Sequence, residues 1–250
     1  MEPGDLEEDR QRLLRLRGIF DDPEEHTRYL RDGWTRIQVV FSILAALQAR
    51  GVRQVLELGS NPYLLTLLLR RRLDLEMELA NYFGPSLEAG HYTHVAELDG
   101  ERLEFPYSHF NVESDPFPYP DASFDCVIFC EILEHLLLDP SRALAEMARV
   151  VRPGGYLVIS TPNATRLPQL YLMALGRNVY DGYSPHGPYG RHNREYTLPE
   201  VVDLMGRHGF EAFSSDVRNI EPLARRFTYL QPLRPTVWYG HLFVVGRRRT

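Results

Sequence analysis

Lysine is absent from this chain of 250 residues, and all 28 of its permanently cationic side chains are arginine. Without lysine, the protein cannot form a Schiff base with a carbonyl substrate or use an amine side chain as its general base. Cysteine is scarce, because only Cys126 and Cys130 occur, both within one apolar run. If that run is a strand, the two residues lie about 13 Å apart, which is too far for a disulfide.

Long apolar runs and an excess of positive charge are missing as well. The apolar stretch at residues 39–47 is far shorter than the roughly 20 residues that a membrane helix needs, and the chain starts with acidic residues rather than a basic leader. With 34 acidic against 28 basic side chains, the formal net charge is −6, the wrong sign for a nonspecific nucleic-acid binder. We therefore expect a soluble, cytoplasmic protein that does not bind membranes and is not a nonspecific nucleic-acid binder.

Short apolar segments alternate with helical ones along the chain. Strands are predicted at residues 54–58, 75–81, 93–98, 101–105, 108–112, 124–130, 155–161, 211–217 and 239–245. Helices are predicted at residues 6–17, 34–51, 63–72, 131–138, 141–150 and 198–208, and Pro23 suits the first turn of another. The Asp99-Gly100 pair is typical of a tight hairpin. This alternation predicts a Rossmann-like α/β fold with a doubly wound sheet, in which the last two strands are antiparallel.

Two regions lie outside this alternation. Residues 1–51 are predicted to form N-terminal helices that pack on the core, and residues 52–250 to form the α/β domain. Residues 163–196 are an irregular insertion whose aromatic and polar members include Tyr171, Tyr180, Tyr183, His186, Tyr189, Arg191, His192 and Arg194. Because aromatic faces suit sugar rings or bases and arginine suits phosphate, the insertion is predicted to be a substrate-binding lid. The alternative is a compact loop packed on its own side chains.

Residues that can approach a ligand follow the first predicted strand. In a doubly wound sheet, ligands bind beyond the carboxyl ends of the strands. Gly59 allows a ligand close to the backbone, and Asn61 tolerates a positive φ. The dinucleotide motif G-x-G-x-x-G is missing because Asn61 and Leu64 occupy its later positions, so a dehydrogenase loses its main support. An ordinary strand-to-helix turn is the alternative here.

Glu131, Glu134 and His135 form the pattern E-x-x-E-H after the strand at residues 124–130. On one helical turn, these side chains would share an arc of about 100°. Two carboxylates and an imidazole side by side can bind a divalent cation, which would also offset the repulsion between the carboxylates. In the alternative interpretation, Glu131 complements a helix dipole and His135 forms a hydrogen bond within the core.

Five segments occur in a set order along the chain. They are Val55-Leu-Glu-Leu-Gly59, Asn111-Val-Glu113, Ser123-Phe-Asp125, Val127-Ile-Phe-Cys-Glu-Ile-Leu-Glu-His135 and Arg152-Pro-Gly-Gly-Tyr-Leu157. Together they resemble the class I S-adenosylmethionine-dependent methyltransferases over roughly residues 55–210. The resemblance implies a seven-stranded sheet whose last strand is antiparallel. It also implies that S-adenosylmethionine binds across the tips of the first four strands.

The resemblance further implies roles for single residues. Glu57 and Gly59 would line the methionine part, Asn81 would meet the ribose, residues 111–113 would flank the adenine, and Cys130 with Glu131 would close the methionine side. The predicted donor-binding residues are Glu57, Gly59, Ser60, Asn61, Tyr63, Asn81, Asn111, Val112, Glu113, Cys130 and Glu131. The family usually has glycine at the positions of Asn61 and Tyr63 and an acidic residue at that of Asn81. If Asn81 meets the ribose, Asn81→Asp is expected to tighten donor binding, because the acceptor becomes charged.

Metal-dependent members of this superfamily, including small-RNA 2′-O-methyltransferases and ubiquinone-pathway O-methyltransferases, carry a similar E-x-x-E-H. In the small-RNA enzymes, a further histidine precedes an aromatic-Thr pair, which makes His192 the counterpart here. The resemblance implies a site for Mg²⁺ or Mn²⁺, and its four candidate ligands are Glu131, Glu134, His135 and His192. Two imidazoles shift the preference toward Mn²⁺ and heavier first-row ions. Direct general-base catalysis by His135 or His192 is the metal-free alternative.

These features together predict an enzyme that methylates a hydroxyl oxygen of a small molecule, such as a sugar, a glycan or a glycosylated natural product. The predicted catalytic residues are Glu134, His135 and His192. A vicinal diol is the expected acceptor, because a divalent cation lowers the pKa of a hydroxyl that it binds. Two alternatives stay open at this point: methylation of an RNA ribose 2′-hydroxyl, and a noncatalytic methyltransferase-like binding protein.

Overall fold

A computed structural model describes residues 6–184, 187–220 and 239–250. The chain divides into two units, Met1–Asn111 and Val112–Thr250. The N-terminal helices belong to the first unit and the insertion at residues 163–196 to the second. Within the described ranges, every helix is too short or too polar to cross a membrane.

The helices of the first unit are α1 (Glu7–Leu13), α2 (Pro23–Gln48) and α3 (Leu64–Arg72). Asp22 caps α2, because its carboxylate accepts the backbone N–H of Glu24 at 2.8 Å. Pro23 occupies the first turn, where its missing N–H leaves no helical hydrogen bond unmade. The helix start predicted at Pro23 and the apolar stripe predicted at residues 34–51 therefore belong to one helix of 26 residues.

The strands of the first unit are β1 (Gln54–Leu58), β2 (Glu76–Asn81), β3 (Gly90–Leu98) and β4 (Glu101–His109). β1 runs parallel to β2 over its whole length. β3 and β4 form the hairpin that Asp99-Gly100 predicts, antiparallel along all nine residues of each strand. β4 joins β2 in parallel through Ser108 and His109 alone. The order within this unit is β3-β4-β2-β1.

The prediction of separate strands at residues 101–105 and 108–112 is wrong, because β4 continues through Pro106. A proline breaks a central strand but is tolerated where one edge of the strand is open. The pairing of β2 with β4 begins only at Ser108, so Pro106 lies in the part of β4 whose ladder is formed with β3. The hairpin is consequently longer than the sequence predicts.

The described residues of the second unit form four strands and three α-helices. They are β5 (Phe124–Cys130), α4 (Ser141–Val150), β6 (Val151–Pro162), α5 (Leu167–Ala174), α6 (Leu198–Arg207), β7 (Phe210–Arg218) and β8 (His241–Arg248). β5 and β6 are parallel and consist almost wholly of buried residues, as continuous apolar runs predict. Gly155 lies where the two strands meet, and a Cβ there would be 2.7 Å from the carbonyl oxygen of Asp125.

β8 lies between β6 and β7 and is antiparallel to both, so the order within this unit is β5-β6-β8-β7. This confirms the predicted antiparallel last strand and the α/β class. The described residues contain eight strands, one more than the seven that the resemblance implies. Nine strand segments are predicted along the sequence, and the difference arises because the segments at residues 101–105 and 108–112 form one strand, β4.

The helix predicted at residues 131–138 is also wrong, because only Leu133–His135 form a single 3₁₀ turn. Glu131 has a φ of +58°, outside the helical range. The carboxylate of Glu113 accepts the backbone N–H groups of Leu137 and Leu138 at 2.7 and 2.6 Å. Those two N–H groups would have to bond back along the chain for a helix to continue, so Glu113 ends the turn.

Candidate functional site

The turn between β1 and α3 carries four of the predicted donor-binding residues. Its backbone is tied to the end of β2, since the N–H groups of Gly59 and Ser60 donate to the carbonyl oxygen of Ala80 at 2.8 and 3.3 Å. Gly59 has a φ of +66°, which suits a residue without a Cβ. The N–H of Tyr63 closes the turn on the Ser60 carbonyl oxygen at 2.6 Å.

Asn81, at the end of β2, uses its whole carboxamide within the first unit. Its Oδ1 accepts the N–H of Asn61 at 2.8 Å, and its Nδ2 donates to Ser60 Oγ at 3.0 Å and to the Tyr63 hydroxyl at 3.1 Å. The Tyr63 hydroxyl is also 2.7 Å from Nδ1 of His94 on β3. We name these five residues the Asn81 network. The ribose contact predicted for Asn81 would have to compete with three internal hydrogen bonds.

Tyr63 is fully buried although its backbone is left-handed, with φ +64°. That conformation costs a residue with a Cβ about 1–2 kcal/mol. Its ring stacks on Phe105 of β4, with 4.2 Å between the ring centroids, and meets the His94 ring edge-on. Burial raises the pKa of Tyr63, so the phenol keeps its proton. Side-chain contacts thus offset the unfavourable backbone conformation of Tyr63.

Glu57, predicted to line the methionine part, lies on β1 and is buried. Burial raises the pKa of its carboxyl group to about 7, although Thr66 Oγ1, which donates to Oε2 at 2.6 Å, and the charge of Arg70 oppose that change. A carboxyl group in this state can be protonated or ionised near neutral pH, depending on what binds beside it.

The other predicted donor-binding residues fall in both units. Asn111 and Val112 are half-buried, the first ending one unit and the second opening the other. Glu113 is buried and accepts the two N–H groups described above. Cys130 is half-buried at the end of β5.

Glu131 is turned toward β6 and β8. Its Oε1 accepts the Ser160 hydroxyl and the Nε2 of His241, each at 2.6 Å. Its own N–H donates to the Ser160 carbonyl oxygen at 2.9 Å. The carboxylate predicted to be both a donor contact and a metal ligand is therefore engaged by two neighbouring strands.

Glu134, His135 and His192 come together in the second unit, and one ligand atom of each lies within 4.8 Å of the others. We name these three residues the Glu134 cluster. Glu134 is 1% exposed; its Oε2 accepts the Thr161 hydroxyl at 2.9 Å, whereas its buried Oε1 has no hydrogen-bond partner among the described residues. That oxygen is 4.0 Å from His135 Nε2. Burial and the nearby Glu131 charge raise the pKa of Glu134.

Both imidazoles of the Glu134 cluster are held by their Nδ1 atoms. His135 Nδ1 is 2.9 Å from the carbonyl oxygen of Arg191, and His192 Nδ1 is 3.1 Å from Oε1 of Glu195. A carbonyl accepts only, so Nδ1 of His135 carries the proton and Nε2 presents its lone pair. Burial lowers the pKa of His135, whereas the Glu195 carboxylate raises the pKa of His192. Metal-binding histidines are commonly held in this way.

Three residues that hold this cluster were not predicted from the sequence. Arg166 clamps the Glu195 carboxylate through both of its terminal nitrogens, at 2.5 and 2.8 Å. The backbone N–H of Asn193 donates to the carbonyl oxygen of Glu134 at 2.7 Å. The side-chain Nδ2 of Asn193 donates to the carbonyl oxygen of His135 at 2.8 Å. The three-residue spacing of His192 and Glu195 is a local signal for their contact. Arg166 is distant in sequence, so its contact with Glu195 has no such signal.

The remainder of the insertion contains α5 and a 3₁₀ turn at Pro188–Gly190. Tyr171, Tyr180 and Tyr183 are exposed, and the Arg191 guanidinium lies over the Tyr183 ring at 4.9 Å. His186, predicted to belong to the same aromatic set, lies outside the described residues. The described part of the insertion thus holds the Glu134 cluster through residues 191–195 and presents aromatic faces elsewhere.

Comparison with known proteins identifies the family to which this chain is similar. Residues 56–159 match the protein family described as "Methyltransferase domain". A "probable S-adenosylmethionine-dependent methyltransferase" of Mycolicibacterium smegmatis is 36% identical over 94 residues, which are 38% of this chain and 31% of that protein. A ubiquinone biosynthesis O-methyltransferase of Alkalilimnicola ehrlichii is 30% identical over 188 residues, which are 74% of this chain and 70% of that protein.

The chain spans about a third of the length of the mycobacterial relatives that it matches, 31% and 29% in two of them. Among solved structures, a SAM dependent methyltransferase from Archaeoglobus fulgidus has a similar fold, with a TM-score of 0.55 and 15% identity. The similarity covers 88% of this chain and 99% of that one. At this level of identity, the structural likeness establishes the fold.

Proposed function

The chain belongs to the class I S-adenosylmethionine-dependent methyltransferases, and from that premise we propose that it transfers the donor methyl group to a hydroxyl oxygen of a small molecule. The acceptor that we propose carries a vicinal diol, as a sugar, a glycan or a glycosylated natural product does. The similarity of the chain to a protein named as an O-methyltransferase supports a hydroxyl oxygen as the atom that attacks the methyl group. The formal charge of −6 argues against a large nucleic-acid acceptor.

The observation that carries this proposal is the Glu134 cluster. Glu134 Oε1 is a buried oxygen with no hydrogen-bond partner among the described residues, and two imidazoles present nitrogen toward it. One carboxylate and two imidazoles are a suitable donor set for a divalent first-row cation. Glu134, His135 and His192 would hold the ion, and we leave Glu131 out because Ser160 and His241 engage it. A divalent cation supplies Lewis acidity, which lowers the pKa of an acceptor hydroxyl.

The residues of the chain also allow a version of the reaction without a cation. Transfer forms the oxygen–methyl bond, breaks the sulfur–methyl bond, and releases S-adenosylhomocysteine and the hydroxyl proton. His135 Nε2 would take that proton, because Nδ1 is committed to the Arg191 carbonyl oxygen and burial lowers the pKa of the ring. The two versions differ in their response to chelators.

For the donor, we propose that Glu57 and the turn at residues 59–63 take the methionine part. Asn111, Val112 and Glu113 are the proposed adenine neighbours, and Cys130 and Glu131 the proposed neighbours on the methionine side. The buried Glu57 carboxyl group at the end of β1 and the positive φ of Gly59 support this placement. The resemblance assigns the donor to this turn, where Glu57 supplies an acidic group and Gly59 allows a ligand close to the backbone.

The test is methyl transfer from tritiated S-adenosylmethionine by the full chain. Catechol and a methyl glycoside with a cis-diol are compared with phenol and the matching deoxy-glycoside, and a short RNA oligonucleotide tests the alternative. We expect diols alone to be labelled, with activity lost in EDTA and restored by Mn²⁺. Full activity after exhaustive chelation would rule out a catalytic cation. Labelling of phenol or of the deoxy-glycoside would show that the acceptor does not need a vicinal diol.

A further inference from the structure

The turn at residues 59–63 has asparagine and tyrosine at positions 61 and 63, where the resemblance implies glycine, and side chains from neighbouring strands hold it in place. We propose that Tyr63, Asn81 and His94 are positioning residues, whose hydrogen bonds fix this turn in the conformation that takes the methionine part of S-adenosylmethionine. The inference rests on the proposed binding of the donor at this turn. It assigns Asn81 to the turn rather than to the ribose.

The first support is the reach of the Asn81 carboxamide. One side chain bonds the backbone N–H of Asn61, the hydroxyl of Ser60 and the hydroxyl of Tyr63, at 2.8 to 3.1 Å. Three residues of the turn are thus held by a single buried group at the end of β2. Since Oδ1 and both Nδ2 hydrogens are used, the amide orientation is fixed by its partners.

The second support is the hairpin of β3 and β4. It supplies His94, whose Nδ1 is 2.7 Å from the Tyr63 hydroxyl, and Phe105, on which the Tyr63 ring is stacked. Burial lowers the pKa of His94 and raises that of Tyr63, so a neutral imidazole faces a protonated phenol. The phenol can therefore donate to His94 while it accepts from Asn81. The Tyr63 hydroxyl thus has both a donor and an acceptor among its neighbours.

This arrangement makes an unusual prediction for position 63. A glycine there would relieve the left-handed backbone, but it would also remove the ring from Phe105 and the hydroxyl from His94 and Asn81. If glycine freedom is what the turn needs, Tyr63→Gly should preserve or improve donor binding. If the side-chain contacts are what it needs, the same change should weaken it.

The experiment measures binding to the full chain by calorimetry with two probes. S-adenosylhomocysteine contains the amino-acid part of the donor, and 5′-methylthioadenosine lacks it. Tyr63→Phe keeps the ring stacked on Phe105 and removes only the hydroxyl, so Asn81 and His94 each lose a hydrogen-bond partner. We therefore expect S-adenosylhomocysteine to bind roughly tenfold more weakly. Binding of 5′-methylthioadenosine should be unchanged. Tyr92→Phe is the matched control, because that hydroxyl bonds the Glu88 carbonyl oxygen.

Each outcome decides the inference. Selective loss of S-adenosylhomocysteine binding in Tyr63→Phe, and a larger loss in Tyr63→Gly, would support it. Equal weakening of both probes, unchanged binding in Tyr63→Phe, or improved binding in Tyr63→Gly would overturn it. If the unsubstituted chain does not bind S-adenosylhomocysteine, the proposed function fails as well, which distinguishes that result from the others.

Discussion

The Asn81 network and the Glu134 cluster are both groups of polar side chains built around one buried residue near the end of a strand, but they are organised in opposite ways. In the first, Asn81, Ser60, Asn61, Tyr63 and His94 bond to one another, and the amide uses all of its hydrogen-bonding capacity internally. In the second, the outward nitrogens of His135 and His192 are held by neighbours while the inward ligand atoms converge.

This difference separates a group that fixes the backbone from a group that can receive a ligand. A buried polar atom without a partner costs free energy, so a structure tolerates one where something else binds it. Glu134 Oε1 is such an atom among the described residues, whereas the Asn81 carboxamide has three partners. We therefore expect substitutions in the Glu134 cluster to affect chemistry and those in the Asn81 network to affect donor affinity.

The largest expected effect is that of Glu134→Gln. The amide keeps an oxygen for the Thr161 hydroxyl but places an NH2 group, which can bind neither a cation nor a proton, in the position of Oε1, so methyl transfer should fall by about a hundredfold or more. Binding of S-adenosylhomocysteine, measured by calorimetry, should change less than about twofold if the carboxylate acts only in the chemical step. Glu211→Gln, on exposed β7, is the control. An equal loss of S-adenosylhomocysteine binding and of methyl transfer would contradict the separate roles that we assign to the Asn81 network and the Glu134 cluster.

A second prediction uses the buried carboxyl group of the first unit, Glu57. Its pKa is about 7 in the folded protein against an ordinary value of 4.5, so the unfolded chain loses this proton first. The contribution to stability is therefore fully present below pH 4.5 and is lost as the pH rises to 7, by about 3 kcal/mol in total. Urea unfolding of the wild type and Glu57→Gln at several pH values measures the difference. A difference that does not vary with pH would contradict it.

Glu195→Gln should have a smaller effect on the Glu134 cluster. The substitution weakens the acceptor of the His192 Nδ1 hydrogen bond and breaks part of the Arg166 clamp. Loss of such a supporting contact weakens metal binding by roughly 10- to 100-fold. Mn²⁺ binding measured by electron paramagnetic resonance should report this. Asp203→Asn, which removes an exposed ion pair with Arg207, should leave the affinity unchanged.

The smallest effect is expected for Asn81→Asp. Read from the sequence, this change should tighten donor binding, but the structure leads us to expect a loss of several-fold, because Nδ2 donates to Ser60 and Tyr63 and a carboxylate has no hydrogen to give. Calorimetry with S-adenosylhomocysteine decides between the two roles. Tighter binding of S-adenosylhomocysteine would support a ribose contact by Asn81 and contradict its role in positioning the turn.

Elements with a strong local pattern were predicted to the residue. The apolar run of β5 and the amphipathic α4 have the boundaries that the sequence predicts. Prediction failed where contacts distant in sequence decide the backbone. β4 passes through Pro106 because of its pairing with β3, and the turn at Leu133–His135 ends because Glu113 takes the N–H groups of Leu137 and Leu138.

The sequence by itself determined the α/β class, the antiparallel last strand, and the acidic and histidine residues from which the Glu134 cluster is made. Periodicity, turn residues and charge are local properties, so they can be read along the chain. The tertiary structure alone decided that Glu131 turns to Ser160 and His241, that Arg166 and Glu195 hold His192, and that Asn81 holds the turn before α3. Each of those contacts joins residues from different elements, and hydrogen-bond partners are chosen by proximity in space.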